Sequence, residues 1–210
     1  MRILVLAANG KAGRLIVQEA LDKGMDVVAS SRSANLTQAT KYLQKDILNL
    51  TKDDLEGYDA IVDCFGAWDK ENLPLHVVTI EHICSLLYGI ETRLLVVGGS
   101  GSLYVNKTHS VRVSDDPNFL EEDMPVASAM SAALAKLRTY SNIKWTYLSP
   151  ACIFDPQGKR TGKYTLGGEE LILNSENKSY ISYEDYATAM VDEIMHGSHY
   201  YQRISVVGEK

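Results

Sequence analysis

Two glycines and two cations near the start of the chain carry the first chemical signal. Ala7-Ala8-Asn9-Gly10-Lys11-Ala12-Gly13 follows the apolar run Ile3–Leu6 and opens a helical pattern over Lys11–Lys23. Glycines in such a turn let the backbone approach a phosphate, and the helix start offers free N–H groups and a partial positive charge. A side chain at Gly10 or Gly13 is expected to fill space that a pyrophosphate needs. Lys11 and Arg14 oppose the helix dipole at this end, a conflict that a bound anion removes. The chemistry expected of Ala8, Asn9, Gly10, Lys11, Ala12 and Gly13 is therefore dinucleotide binding.

The end of the second apolar run bears on which dinucleotide. A site that prefers NAD carries Asp or Glu there, to hold the ribose hydroxyls. Here Val27-Val28-Ala29 runs into Ser30-Ser31-Arg32, with no carboxylate. The planar guanidinium of Arg32 suits a 2′-phosphate and stacks on adenine, and Ser31 can add a hydrogen bond. NADPH is expected, with NADH as the lesser alternative.

These residues need a scaffold, and the rest of the chain predicts one. Short apolar runs at Ile3–Leu6, Asp26–Ser30, Ala60–Cys64, Arg93–Val97, Lys144–Leu148 and Arg203–Val207 alternate with amphipathic segments. Those segments are Lys11–Lys23, Leu75–Tyr88, Val126–Tyr140 and Tyr183–His196. Runs apolar nearly throughout suit parallel strands covered on both faces. The alternation predicts a doubly wound parallel sheet, a three-layer α/β/α Rossmann fold in one domain over 1–210. A small C-terminal substrate-binding portion is expected around 150–182. Within it, the Gly- and Pro-rich stretch Phe154–Gly168 reads as a long mobile loop. Ser114–Met124, acidic and carrying Pro117, reads as a solvated loop.

Composition narrows the function classes. A net charge of −6 argues against a broad nucleic-acid footprint and a polybasic membrane patch. The opening run is too short for a signal peptide and reads as a buried strand, and no apolar stretch is long enough to span a bilayer. The three cysteines, Cys64, Cys84 and Cys152, read as reduced core residues without metal or disulfide spacing. A cytoplasmic protein, monomer or homodimer, is expected.

Several motifs together resemble one family. They are Asn9-Gly10-Lys11-Ala12-Gly13, Tyr58-Asp59-Ala60-Ile61-Val62-Asp63, and Leu94–Tyr104 with its Gly98-Gly99-Ser100-Gly101-Ser102 core. Trp145–Ala151, Arg160-Thr161-Gly162-Lys163-Tyr164 and Ile181–Ala187 complete the set. The chain resembles the NAD(P)H–flavin reductase family of small bacterial proteins, within the atypical short-chain dehydrogenase superfamily, over nearly its whole length. The resemblance implies that Asp46 and Ile47 lie near the adenine. It implies that Phe65, Gly66 and Ala67 let backbone approach the cofactor, that Pro150 and Ala151 add contacts, and that Ser100 occupies the place of the superfamily's catalytic serine. The chain departs from the family pattern at Ala7, where glycine is expected, and at Asn9, where threonine is common.

Classical short-chain dehydrogenases pair a Tyr with a Lys four residues on, so that both share one helical face. The helix over Val126–Tyr140 has only Lys136, with Ala132 four residues before it. Tyr140 and Lys144 have the spacing but straddle the start of a strand. Without that acid, the expected acceptor is a flavin, quinone or similar conjugated ring, which spreads the incoming charge and takes its proton from solvent. Flavin is then a substrate rather than a tightly held group. Ser100 and Tyr104 are the catalytic candidates, and His109 is a further candidate acid. The alternative is a nucleotide-sensing regulatory protein of the NmrA type, without turnover. No metal site is expected.

Overall fold

The computed structural model describes residues 1–197 and 199–210. The central parallel strands bury both faces, and the alternation of side chains explains why. In β1 (Arg2–Leu6), Ile3 and Val5 face one apolar cluster while Leu4 and Leu6 face another. The first cluster is closed by α1 (Lys11–Asp22) and α5 (Tyr183–His196), the second by α3 (Leu75–Leu86) and α4 (Met124–Leu137). Side chains of successive strand residues point to opposite faces, so an all-apolar strand needs a helical layer on each side.

The remaining strands are β2 (Asp26–Ser31), β3 (Lys41–Gln44), β4 (Ala60–Asp63), β5 (Arg93–Val97), β6 (Trp145–Ser149), β7 (Ile153–Asp155), β8 (Tyr164–Gly167), β9 (Tyr180–Ser182) and β10 (Gln202–Gly208). The main sheet runs β3-β2-β1-β4-β5-β6-β10-β8. All its neighbours are parallel except β8 on β10. Ile3 sits between Val27 and Ala60, so the strand order reverses beside β1. Such a switch point opens a crevice beyond the carboxyl ends of the strands, where ligands bind in this architecture. A short helix, α2 (Lys52–Leu55), precedes β4.

Helix limits follow local chemistry. α5 starts where Ser182 Oγ accepts the Asp185 N–H at 3.0 Å. α4 begins two residues before the expected Val126, because Pro125 fits the first turn of a helix. It also ends at Leu137, three residues before Tyr140, and Lys144 pairs with Glu91 at 2.6 Å.

The stretch expected as a mobile loop, Phe154–Gly168, is different. It contains the end of β7 and all of β8. β7 pairs with β9 and β8 with β10. Between the strands, the buried Asp185 carboxylate accepts from Thr161 N–H at 3.0 Å and Gly162 N–H at 2.8 Å. Arg160 bonds Glu19 of α1 through both nitrogens, at 2.5 and 3.0 Å. Glycine and proline here shape a strapped segment rather than a free one. Cys152 is also corrected: Cys84 is buried and Cys64 half-buried, but Cys152 stands exposed where the chain leaves β6. Among the described residues, no helix is long and apolar enough to cross a membrane, and no cluster of three His, Cys, Asp or Glu could hold a metal.

Candidate dinucleotide site

At the crevice, the turn after β1 is built around an L-residue in the left-handed region. Ala7 has φ +51, where the fingerprint's first glycine is expected. Its carbonyl accepts the Gly10 N–H at 3.1 Å, and Ala8 N–H donates to Ser30 O at 2.9 Å. Gly10 is the N-cap of α1 and supplies no side-chain cap, and no acid lies in the first turn. The N–H groups of Lys11, Ala12 and Gly13 are therefore left for an outside acceptor. This is an anion cradle, and it fits a pyrophosphate.

The two glycines have different work. A Cβ on Gly10 would meet only Ala7 O at 3.4 Å, an ordinary contact. A Cβ on Gly13 would come within 2.8 Å of Ala8 O, 2.9 Å of Ala8 Cα and 3.0 Å of Ala8 C. Gly13 is thus where α1 presses on the backbone after β1. The expectation that a side chain there would displace phosphate alone is corrected: it would first displace the helix.

Asn9 ties the turn after β1 to the loop after β2. Its Nδ2 lies within reach of Ser31 Oγ (2.8 Å), Ser33 Oγ (3.1 Å) and Ala34 O (2.7 Å), and its Oδ1 accepts from Leu36 N–H at 2.9 Å. Ser31 Oγ is also 2.6 Å from the Tyr42 hydroxyl, which bonds Ser33 O. The Ser31 hydroxyl, expected to face a 2′-phosphate, is engaged inside the protein and shapes the loop. Arg32, next to it, is exposed and has no salt-bridge partner among the described residues. Asp46 accepts the Leu48 N–H at 2.9 Å, and Ile47 is buried beneath it.

Beyond β4, Phe65-Gly66-Ala67 turns on a buried histidine. His76 Nε2 lies 3.0 Å from Ala67 O, its ring meets Phe65 edge-on at 5.3 Å, and burial lowers its pKa. Trp68, 73% exposed, lays its indole over Gly66. Asp63 closes β4 from inside. It accepts the Phe65 N–H at 2.9 Å, and burial pushes its carboxyl up to about 6. Asp63, His76, Thr79, Met130 and Tyr147 line a cavity of about 10 Å³, room for one water.

The glycine-rich loop after β5 is a packing device. A Cβ on Gly98 would enter the ring of Tyr147, one on Gly99 would meet Met130 Sδ at 2.9 Å, and one on Gly101 would meet Ala127 Cβ at 2.8 Å. The loop can therefore settle against α4 and over Tyr147, whose hydroxyl accepts the Gly99 N–H at 3.2 Å. Ser100 stands half-buried on this loop with no hydrogen-bond partner for its hydroxyl among the described residues. Tyr104 bonds through its backbone to Glu169 O (3.0 Å) and Leu171 N (2.8 Å). Its ring stacks on His109 at 4.6 Å, and His109 Nε2 lies 2.7 Å from Glu170, whose carboxyl it draws down. Pro150 and Ala151 are buried after β6.

Two buried arginines that the sequence reading passed over set this frame. Arg203, 1% exposed in β10, reaches Glu169 Oε2 at 2.5 Å, Ser102 Oγ at 3.3 Å and Ser102 O at 3.2 Å. Arg93 in β5 bonds the Glu193 carboxylate and Thr146 Oγ1, the latter at 2.7 Å. A cation inside an otherwise apolar strand was the available signal, since a buried charge must be paired.

The expected residues thus gather beyond the carboxyl ends of β1 to β6, on one edge of the sheet. YwnB of Bacillus subtilis (strain 168), named as uncharacterized, is 43% identical over 100% of this chain and 99% of its own. SP1627 of Streptococcus pneumoniae TIGR4, described as "a putative NADH-flavin reductase", is 47% identical, with a TM-score of 0.97 over 100% of both chains. A Lactobacillus casei protein of known structure is 29% identical, with a TM-score of 0.89 over 100% of both. The model of a family described as NAD(P)H-binding matches residues 7–196. That span runs from the left-handed Ala7 of the turn after β1 through the last residue of α5, and the chain belongs to this NAD(P)H-binding family.

Proposed function

We propose that the protein is an NAD(P)H-dependent reductase that passes hydride to a flavin, quinone or similar conjugated acceptor, with NADPH preferred. The observation that carries this reading is the pairing of an open α1 N-terminus with Arg32, beside a crevice that has no Tyr–Lys pair on α4. The N–H groups of Lys11, Ala12 and Gly13 would hold the pyrophosphate, with Ala8 and Asn9 framing the turn. Arg32 would hold the 2′-phosphate, with Asp46 and Ile47 toward the adenine. The backbone of Phe65–Ala67, with Ser100, Pro150 and Ala151, would flank the nicotinamide end.

When bound, the cofactor would supply a hydride, which the acceptor would take up with one solvent proton. The protein's share is orientation and exclusion of water, which suits an acceptor that delocalises the incoming charge. Ser100 would offer a hydrogen bond to acceptor or nicotinamide, and the segment over 150–182 would form the acceptor side. The similarity to SP1627 supports the flavin end of the range. A cytoplasmic setting fits such a reductase.

Steady-state NADPH oxidation with FMN, FAD and quinones tests this. Turnover with at least one conjugated acceptor, and none with simple aldehydes or ketones, is the expected result. Tight NADPH binding with no turnover on any of them would refute the reductase and leave the nucleotide-sensing alternative.

A further inference from the structure

The loop after β4 ends on the most exposed large apolar side chain of the described residues. Trp68 is 73% exposed, although tryptophan is on average well buried. Its support is fixed. Asp63 accepts the Phe65 N–H at 2.9 Å, the Phe65 ring meets the buried His76, and His76 Nε2 lies 3.0 Å from Ala67 O. A Cβ on Gly66 would come within 2.7 Å of Trp68 Cη2 and 2.9 Å of Cζ3, so only glycine lets the benzo edge of the indole rest on this backbone. The indole is held at that edge and open elsewhere. Among the described residues, no ring stacks on it and no cation lies over it.

Strand order decides which part of a dinucleotide can reach this indole. β1 lies between β2 and β4. Arg32 follows β2, the pyrophosphate cradle follows β1, and Trp68 follows β4, on the opposite side of the cradle from Arg32. A dinucleotide with its pyrophosphate at the cradle and its adenine toward Arg32 therefore extends its nicotinamide half toward Trp68. The two redox states of that ring differ in charge. The reduced ring is neutral, and once its hydride has gone to an acceptor the ring is a pyridinium cation. The face of an aromatic side chain attracts a cation, and tryptophan does so best.

Resting on the placement of the nicotinamide end beside Phe65–Ala67, we propose that Trp68 contacts the nicotinamide ring and favours its oxidised, cationic form. A contact that is stronger to NADP⁺ than to NADPH shifts the bound pair toward NADP⁺ by that difference in affinity. The indole that holds the ring thereby also makes bound NADPH a stronger hydride donor.

Binding alone tests this. Trp145, the other tryptophan, is 3% exposed at the first position of β6, at the far end of the strands from the crevice, so a ligand-dependent change in tryptophan emission reports Trp68. NADP⁺ should quench that emission. Adenosine 2′,5′-bisphosphate, which lacks the nicotinamide, should bind without quenching. By calorimetry, Trp68→Leu should weaken NADP⁺ binding about threefold to thirtyfold, the span of a cation–π contact. The loss should be smaller for NADPH and absent for the bisphosphate, and Trp68→Phe should recover part of it. Both variants should keep the parent Tm, since the side chain is exposed. Equal losses for NADP⁺ and NADPH overturn the preference for the cation, and an unchanged NADP⁺ affinity overturns the contact. A loss for the bisphosphate as large as for NADP⁺ also overturns it, by placing the indole on adenine. Failure of the reductase reading looks different: no acceptor supports NADPH oxidation, whatever the titrations give.

Discussion

Replacing Gly13 by alanine isolates the contact between α1 and the turn after β1. The new Cβ would stand 2.8–3.0 Å from three backbone atoms of Ala8. Backbone cannot rotate away as a side chain can, and Ala8 is tied by its N–H to Ser30 O at 2.9 Å. The helix must therefore lift from the sheet. Overpacking of this kind costs about 1–3 kcal/mol, while the better helix propensity of alanine returns about 1 kcal/mol. A net loss of up to about 2 kcal/mol is expected for Gly13→Ala, and more for Gly13→Val. In a chain of this size a loss of about 2 kcal/mol lowers Tm by roughly 4–8 °C. Gly10→Ala is the control: its φ is −65° and its nearest neighbour is 3.4 Å away, so its stability should stay within about 0.5 kcal/mol of the parent. Thermal and urea unfolding without nucleotide measure both. A Gly13→Val protein that melts at the parent temperature would refute the packing argument.

Arg32→Ala should weaken NADPH binding about tenfold to a hundredfold and barely touch NADH, by fluorescence titration, and equal losses would remove Arg32 from the 2′-phosphate. Ser100→Ala, Tyr104→Phe and His109→Ala should each cost far less than the ~100-fold that an essential general acid contributes. A thousandfold loss of turnover with binding intact would identify an acid and point to carbonyl reduction. Ala7→Gly should stabilise by about 0.5–1 kcal/mol, because φ +51 strains an L-residue, and urea midpoints decide it. Asp63 gives a pH test. Its carboxyl rises from 3.8 to about 6 on folding, so between those values the folded state holds the proton more tightly and Asp63 erodes stability as pH rises. Above about pH 6 the full penalty, roughly 3 kcal/mol, is in place. Asp63→Asn should gain on the parent by up to that amount between pH 4 and 7, and a pH-independent difference would contradict it.

The sequence was most legible where one periodicity had one structural meaning. β5 and α5 fall on the expected residues, where the apolar Leu94–Val97 fills the strand and Ser182 caps the start of the helix. The turn after β1 was legible for the same reason, with glycines between a strand and a helix. What Gly13 does there was not, since a glycine required by packing and one required by a ligand look alike in sequence. β7, β8 and β9 were hidden because each has only three or four residues among glycines and prolines, too few for a period to show. Asn9 and Ser31 were placed at the site, but their mutual bond joins positions 22 apart and only the fold brings them together. Glu169 and Arg203 were missed for the same reason.

The buried Arg203 also ties the site to the order of synthesis. Its guanidinium shapes the loop after β5 by bonding Ser102, a residue 101 positions earlier. On the ribosome, the loop that carries Ser100 emerges long before the strand that fixes it. Ser100 gains its frame only when β10 inserts beside β6. A nascent chain therefore holds the loop after β5 without the buried cation that braces it until the last strand has been made.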